Sequence, residues 1–121
     1  MPFLKRWAKE KIKVKGSEIE IDGVVFGNLA VHLSLSDGSL FVVTASTVGL
    51  RVCHVNKEKD AKRIAETLHR YCAKAFQEKT AQNILDKLPL WVKPWLYECT
   101  KERKWVDVEE FQKKYKWTPS K

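Results

Sequence analysis

"AVHLSLSDGSLFVVTA", residues 30–45, is the stretch on which the reading of this chain turns. Asp37-Gly38 is favoured in two-residue type I′ hairpins, whose central residues both need positive φ. It predicts two antiparallel strands and a register: Ser36 opposite Ser39, Leu35 opposite Leu40, Leu33 opposite Val42, and Val31 opposite Thr44. In that register Val31, Leu33, Leu35, Leu40 and Val42 share one apolar face. The other face pairs Ser34 with Phe41 and His32 with Val43. Phe41 and Val43 are apolar too, so the sheet is expected to be covered on both sides.

Upstream, "SEIEID" (17–22) alternates Ile19 and Ile21 with Glu18, Glu20 and Asp22, the period of a half-buried strand. The acids read as a solvated face. "GVVFGN" (23–28) is a short apolar run punctuated by Gly23 and Gly27. "KIKVKG" (11–16) sets Lys11, Lys13 and Lys15 on one side of a strand, with Ile12 and Val14 on the other. Downstream, "LRVCHV" (50–55) is a further strand, with either Leu50 and Val52 or Cys53 and Val55 turned inward.

From residue 56 the period changes. Asn56 is a suitable N-cap, followed by Glu58 and Asp60 where a helix dipole favours acids. Ala61, Ile64, Ala65, Leu68, Tyr71, Cys72, Ala75 and Phe76 then recur at three- and four-residue steps, which predicts one amphipathic helix over 57–79. Thr80 caps a short second helix in "AQNILDKL" that Pro89 halts. A third is expected from Pro94, since proline suits a first turn. Asp107 and Glu110 have capping-box spacing ahead of a last helix in "VEEFQKKYKW". Strands first and helices after make the fold class α+β: an antiparallel sheet of four or five strands backed by one long helix, then short Trp-rich helices. Residues 1–121 are expected to form a single domain, with sheet over 1–55, the long helix over 56–79 and a helical segment over 80–121.

The chain of 121 residues carries a net charge of +8, with 44% hydrophobic and 31% charged residues. That is the composition of a folded protein rather than a disordered tail. No apolar run reaches the roughly 18–20 residues that span a bilayer. "MPFLKRWAKEK" turns basic after Leu4, without the apolar stretch of a secretory leader. Cys53, Cys72 and Cys99 are too few and too scattered for a disulfide framework. The expectation is a cytoplasmic protein with no membrane association.

The charge is uneven. Residues 1–16 sum to +5, 17–55 to −3, 56–80 to +3, 81–99 to 0 and 100–121 to +3. Positive charge at both ends and on the long helix favours a polyanionic partner. The five tryptophans lie outside the strands, several beside cations: "KRW", "KPW", "RKW", "YKW". Rings interleaved with Lys and Arg suit nucleic acid, where bases stack and phosphates meet cations. Trp91 and Trp95, four apart among Leu88, Val92 and Leu96, read instead as core. Lys11, Lys13 and Lys15 read equally as protection of a sheet edge. The cations of the long helix are interrupted by Glu58, Glu66 and Glu78, the pattern of a solvated face.

Catalytic signatures are lacking: there is no G-x-S-x-G, Walker loop, H-E-x-x-H or paired-carboxylate pattern. Cys53 and His54 are adjacent on a strand and point to opposite faces. His69 and Cys72, with Cys53 and His54, lack the spacing of a zinc site. No cofactor, metal or small-molecule ligand is indicated. The expected function is non-catalytic binding of DNA or RNA through Lys5, Arg6, Trp7, Lys11, Lys13 and Lys15, joined by Lys101, Arg103, Lys104, Lys113, Lys114, Lys116 and Trp117. The alternative is a protein-interaction module (adaptor, inhibitor or homodimer), its partner an acidic protein. It would use the apolar sheet face of Phe41 and Val43 or the aromatic C-terminus.

Overall fold

Among the described residues, five strands form an antiparallel meander in the order β1-β2-β3-β4-β5, with four α-helices after it. The strands are β1 Ala8–Lys13, β2 Glu20–Phe26, β3 Leu29–Leu33, β4 Phe41–Ala45 and β5 Leu50–Val55. The helices are α1 Glu58–Cys72, α2 Ala81–Lys87, α3 Val92–Glu102 and α4 Val108–Lys114. This computed structural model describes residues 7–13, 20–34 and 38–116. The α+β class, with the sheet in the N-terminal half, is as expected. Among the described residues no helix is long and apolar enough to cross a membrane.

The β3–β4 register differs from the predicted one. Leu33 pairs with Phe41, His32 with Val42, Val31 with Val43 and Ala30 with Thr44, one residue away from the type I′ hairpin. Ser34 N–H donates to Leu40 O at 2.8 Å, continuing the ladder one step beyond Leu33 and Phe41 in the same shifted register. Leu35, Ser36 and Asp37 of the predicted hairpin lie outside the described residues; Gly27 and Gly49 take positive φ, at 63° and 73°. A one-residue slip moves a whole strand's side chains to the other face. Phe41 and Val43 therefore lie on the α1 side with Val31, while Leu40 and Val42 lie on the far side. Residues 41–43 are apolar on both faces, so hydrophobic pattern could not choose between the registers.

Beneath α1 lies the principal core. Leu29, Val31, Val43, Ala45, Cys53 and Val55 of the sheet meet Ala61, Ile64, Ala65 and Leu68 of α1. Val43 is wholly buried there, so it offers no second apolar face to a partner. Strand β5 resolves its two alternatives with a bulge: Val43 pairs with Cys53, but Thr44 pairs with Arg51 and Ala45 with Leu50. The extra residue, Val52, lets Cys53, Val55 and Leu50 all face the helix.

Helix α1 ends at Cys72, well short of residue 79. A turn at 73–74 and a 3₁₀ segment, Ala75–Gln77, follow. Ala75 and Phe76 still reach the core, which is why their periodicity looked helical. Lys57, not Asn56, is the N-cap and makes no side-chain capping bond. The later helices begin where their caps indicated: Thr80 Oγ1 accepts from Asn83 N–H at 3.1 Å, and Asp107 Oδ2 from Glu110 N–H at 3.0 Å. Pro94 falls in the first turn of α3.

Trp91 and Trp95 are buried, their rings edge-on at 5.9 Å, and Trp95 Nε1–H donates to Val106 O at 2.8 Å. They belong to the same cluster as the α1 core, and α3 packs on β5. The Trp-bearing helices thus extend the first layer and do not cover the far face. That face buries Ile12, Ala30, Leu40, Val42, His32 and Thr44. Gly23 makes room for it: a Cβ there would stand 2.5 Å from Ile12 Cδ1 and 2.8 Å from Val31 O. His32 Nδ1 lies 2.9 Å from Leu33 O, which can only accept, so Nδ1 carries the proton. Nε2 then accepts from the Thr44 hydroxyl at 2.7 Å. Burial, with a smaller push from Arg51, lowers the pKa of His32 against the pull of the Leu33 bond.

Candidate nucleic-acid interface

Strand β1 is one edge of the sheet and pairs antiparallel with β2. Lys11 is opposite Asp22 and Lys13 opposite Glu20. Lys11 Nζ sits 2.6 Å from Asp22 Oδ1, both exposed, and that bond chiefly holds the Asp22 carboxyl below its usual range. Asp22 is thus solvated, as read, and also pairs across the strands with the one lysine of the comb whose side chain is described, Lys11. Charges matched in this way guard an edge. Lys5, Arg6, Lys15 and Trp117 lie outside the described residues.

At the other edge, α3 packs on β5, roughly 19 Å from β1 across four interstrand spacings. Lys101, Arg103 and Lys104 close α3, and Lys113, Lys114 and Lys116 close α4; all six are exposed. Lys114 is bound back to Glu98 at 3.6 Å, so α4 stays beside α3. The β1 comb and the α4 cations therefore belong to opposite edges.

Two indoles, Trp7 ahead of β1 and Trp105 after α3, both lie against α1. Trp7 Nε1–H donates to Glu66 Oε2 at 2.9 Å, with Lys62 Nζ 5.5 Å from its ring centroid and Phe26 stacked at 5.1 Å. From the other direction Trp105 Nε1–H donates to Thr67 Oγ1 at 3.1 Å, and the Arg63 guanidinium lies 3.9 Å from its ring centroid. Thr67 in turn donates to Arg63 O at 2.8 Å. Both indoles are half-buried, with polar edges and ring faces occupied from within. They clad the helix; they are not open platforms for a base.

What this cladding delivers is charge. The turn after α3 is a Schellman motif: Lys104 N–H bonds Cys99 O at 3.1 Å and Arg103 N–H bonds Thr100 O at 3.3 Å. Glycine is usual at the left-handed position, but Arg103 stands there with φ 58°. Asn56 N–H donates to Arg103 O at 3.1 Å, tying the turn to the start of α1. The turn carrying exposed Arg103 and Lys104 is thereby docked at the start of α1, where Lys57 at the N-cap and Lys59 and Arg63 within the helix are also exposed. The helix cations read as a solvated face because nothing in their spacing announces a turn arriving from residue 103. Of the acids nearby, Glu58 faces Lys62 at 3.7 Å and Glu66 holds Trp7, while Asp60, close enough to help raise the Cys99 thiol, and exposed Glu102 add negative charge at the same junction.

The thiols are chemically quiet. Burial pushes Cys53 up to about 11, and Cys72 and Cys99 to about 12, so each stays protonated at neutral pH. Thr100 Oγ1–H points at Cys53 Sγ from 3.4 Å. Among the described residues no group of three or more His, Cys, Asp or Glu stands close enough to hold a metal ion. No protein-family model, curated protein or solved structure matches this chain.

Proposed function

We propose that the protein binds nucleic acid through phosphate contacts at the α1–α3 junction, and that Lys57, Lys59, Arg63, Arg103 and Lys104 make those contacts. The observation that carries the reading is the Schellman turn. It holds an arginine at a left-handed position and docks by Asn56 onto the cationic side of α1. A non-glycine residue there costs on the order of 1 kcal/mol, as it also does at Lys116, and at Arg103 the cation it retains is set beside α1. Since the indoles are occupied, the contacts are to phosphate and carry little sequence preference. The β1 comb, neutralised in part by Asp22, contributes field rather than contacts.

Fluorescence anisotropy with a fluorescein-labelled 20-nucleotide single strand and the matching duplex tests this. Affinity should fall steeply with salt, by about 0.7 to 0.9 in log K per log salt for each phosphate neutralised. Lys59→Glu with Lys104→Glu should weaken binding at least tenfold. Binding that survives half-molar salt, that is indifferent to this double reversal, or that is missing at low salt would overturn the reading.

A further inference from the structure

Helix α3 presents a second surface, built differently from the first. Lys93, Tyr97 and Lys101 lie four residues apart along its outward stripe, so Tyr97 stands between two cations. Tyr97 is 70% exposed, although Trp95 and Leu96 beside it are buried. An apolar groove runs along each flank of this ridge. One, of about 370 Å³, is walled by Leu50, Val52, Leu85, Leu88 and Leu96, with Arg51 at its rim. The other, of about 520 Å³, lies between Pro94 of α3 and Phe111 and Tyr115 of α4. Glu98, the acid that lines this second groove, is drawn off by Lys114 at 3.6 Å and the Tyr115 hydroxyl at 3.4 Å.

We infer that this ridge is a docking site for an acidic, amphipathic segment of another protein. Aliphatic or aromatic side chains of the partner fill the two grooves on either side of Tyr97. Its carboxylates meet Lys93, Lys101 and Arg51. Two arguments choose this occupant. The rim is cationic, with its one lining acid already engaged, and a chain of net charge +8 disfavours a second copy of itself. The groove walls are leucine, valine, proline and phenylalanine, which suit apolar side chains better than nucleobases. An exposed tyrosine between such pockets has the character of an interface anchor. The surface shares no cation with the α1–α3 junction except the neighbourhood of Lys101, so one chain could hold nucleic acid and an acidic protein at once.

The test is selection from a phage-displayed library of random 16-residue peptides on the full chain, with depletion on the Tyr97→Ala variant. Enriched peptides should carry net negative charge together with Leu, Ile, Phe or Trp. Measured by anisotropy, a selected peptide should bind the unaltered chain at least tenfold tighter than Tyr97→Ala and tenfold tighter than Lys93→Glu with Lys101→Glu. The Lys59→Glu, Lys104→Glu variant should hold the peptide unchanged, which separates this site from the nucleic-acid interface. Circular dichroism checks that the variants are folded; these side chains are exposed. Four results would overturn the inference: no enrichment that depends on Tyr97, enriched peptides without net negative charge, a dimer in sedimentation that Tyr97→Ala dissociates, or oligonucleotide affinity that Tyr97→Ala abolishes.

Discussion

Helices α1 and α3 both turn a cation-rich side outward, yet they treat aromatic rings in opposite ways. On α1, each indole delivered to the surface is satisfied from within: Trp7 by Glu66, Phe26 and Lys62, Trp105 by Thr67 and Arg63. On α3, Tyr97 stands in solvent between Lys93 and Lys101 with an apolar groove on each flank. The first arrangement stabilises the fold and leaves charge as the feature a partner meets. The second contributes little to folding and leaves hydrophobic area exposed. An aromatic residue beside lysines is thus not one signal, and what occupies the ring's face decides its meaning.

The largest effect that could break this contrast is on stability. Trp105→Ala removes a half-buried indole, its bond to Thr67 and the seat of Arg63. It should cost about 2 kcal/mol in urea denaturation, below the 3–5 kcal/mol of a fully buried tryptophan. Tyr97→Ala should stay within about 0.5 kcal/mol of the parent chain. Equal losses at the two positions would erase the distinction.

Next comes Arg103→Gly. Relieving a left-handed arginine should raise stability by about 1 kcal/mol, while deleting a cation from the α1–α3 junction should weaken oligonucleotide binding several-fold. Stability and affinity moving in opposite directions is the outcome expected of a strained residue kept for binding. A variant that loses stability, or that gains it with no change in affinity, would return the turn to a structural role.

Smaller still, Trp7→Phe keeps the ring stacked on Phe26 but removes the indole N–H from Glu66. A loss near 1 kcal/mol is expected, with oligonucleotide affinity unaltered because no base uses that ring. A marked loss of affinity would mean that Trp7 stacks on a ligand after all.

The gentlest test uses neither helix. His32, on the far face of the sheet, has its pKa lowered from 6.5, mainly by burial. The unfolded chain therefore takes up a proton more readily than the folded one. Stability should be whole above about pH 6.5 and decline as pH falls below it toward the lower folded value. His32→Gln should flatten that slope, and the Tyr97→Ala curve should run parallel to the parent's. A changed slope in Tyr97→Ala would show that the ridge variant has disturbed the sheet.

Local signals were legible in the sequence, and relations between distant segments were not. Thr80 and Asp107 capped their helices as read, because a cap is settled within three or four residues. Trp91 and Trp95 were recognisable as core from their own helix's spacing. Asn56 was misread as a cap: the helix starts one residue later, with Lys57 at the N-cap, and the contact that holds Asn56 comes from Arg103, 47 positions away. The long helix was drawn to residue 79 because Ala75 and Phe76 keep helical rhythm; a 3₁₀ segment points them into the same core. Of the proposed contacts, Arg103 and Lys104 were named from their basic neighbourhood; Lys59 and Arg63 were weighed on the helix and read as a solvated face, and Lys57 entered only with the turn that docks beside it.

By itself, then, the order of residues determined the α+β class, the succession of strands and helices and most helix starts, since backbone propensity, capping and periodicity act over one or two turns. Tertiary structure alone decided the hairpin register, the bulge at Val52 and the docking of the turn at 103–105 onto α1. Those depend on packing between segments tens of residues apart, where several local patterns were equally acceptable and only the shared core beneath α1 distinguished them.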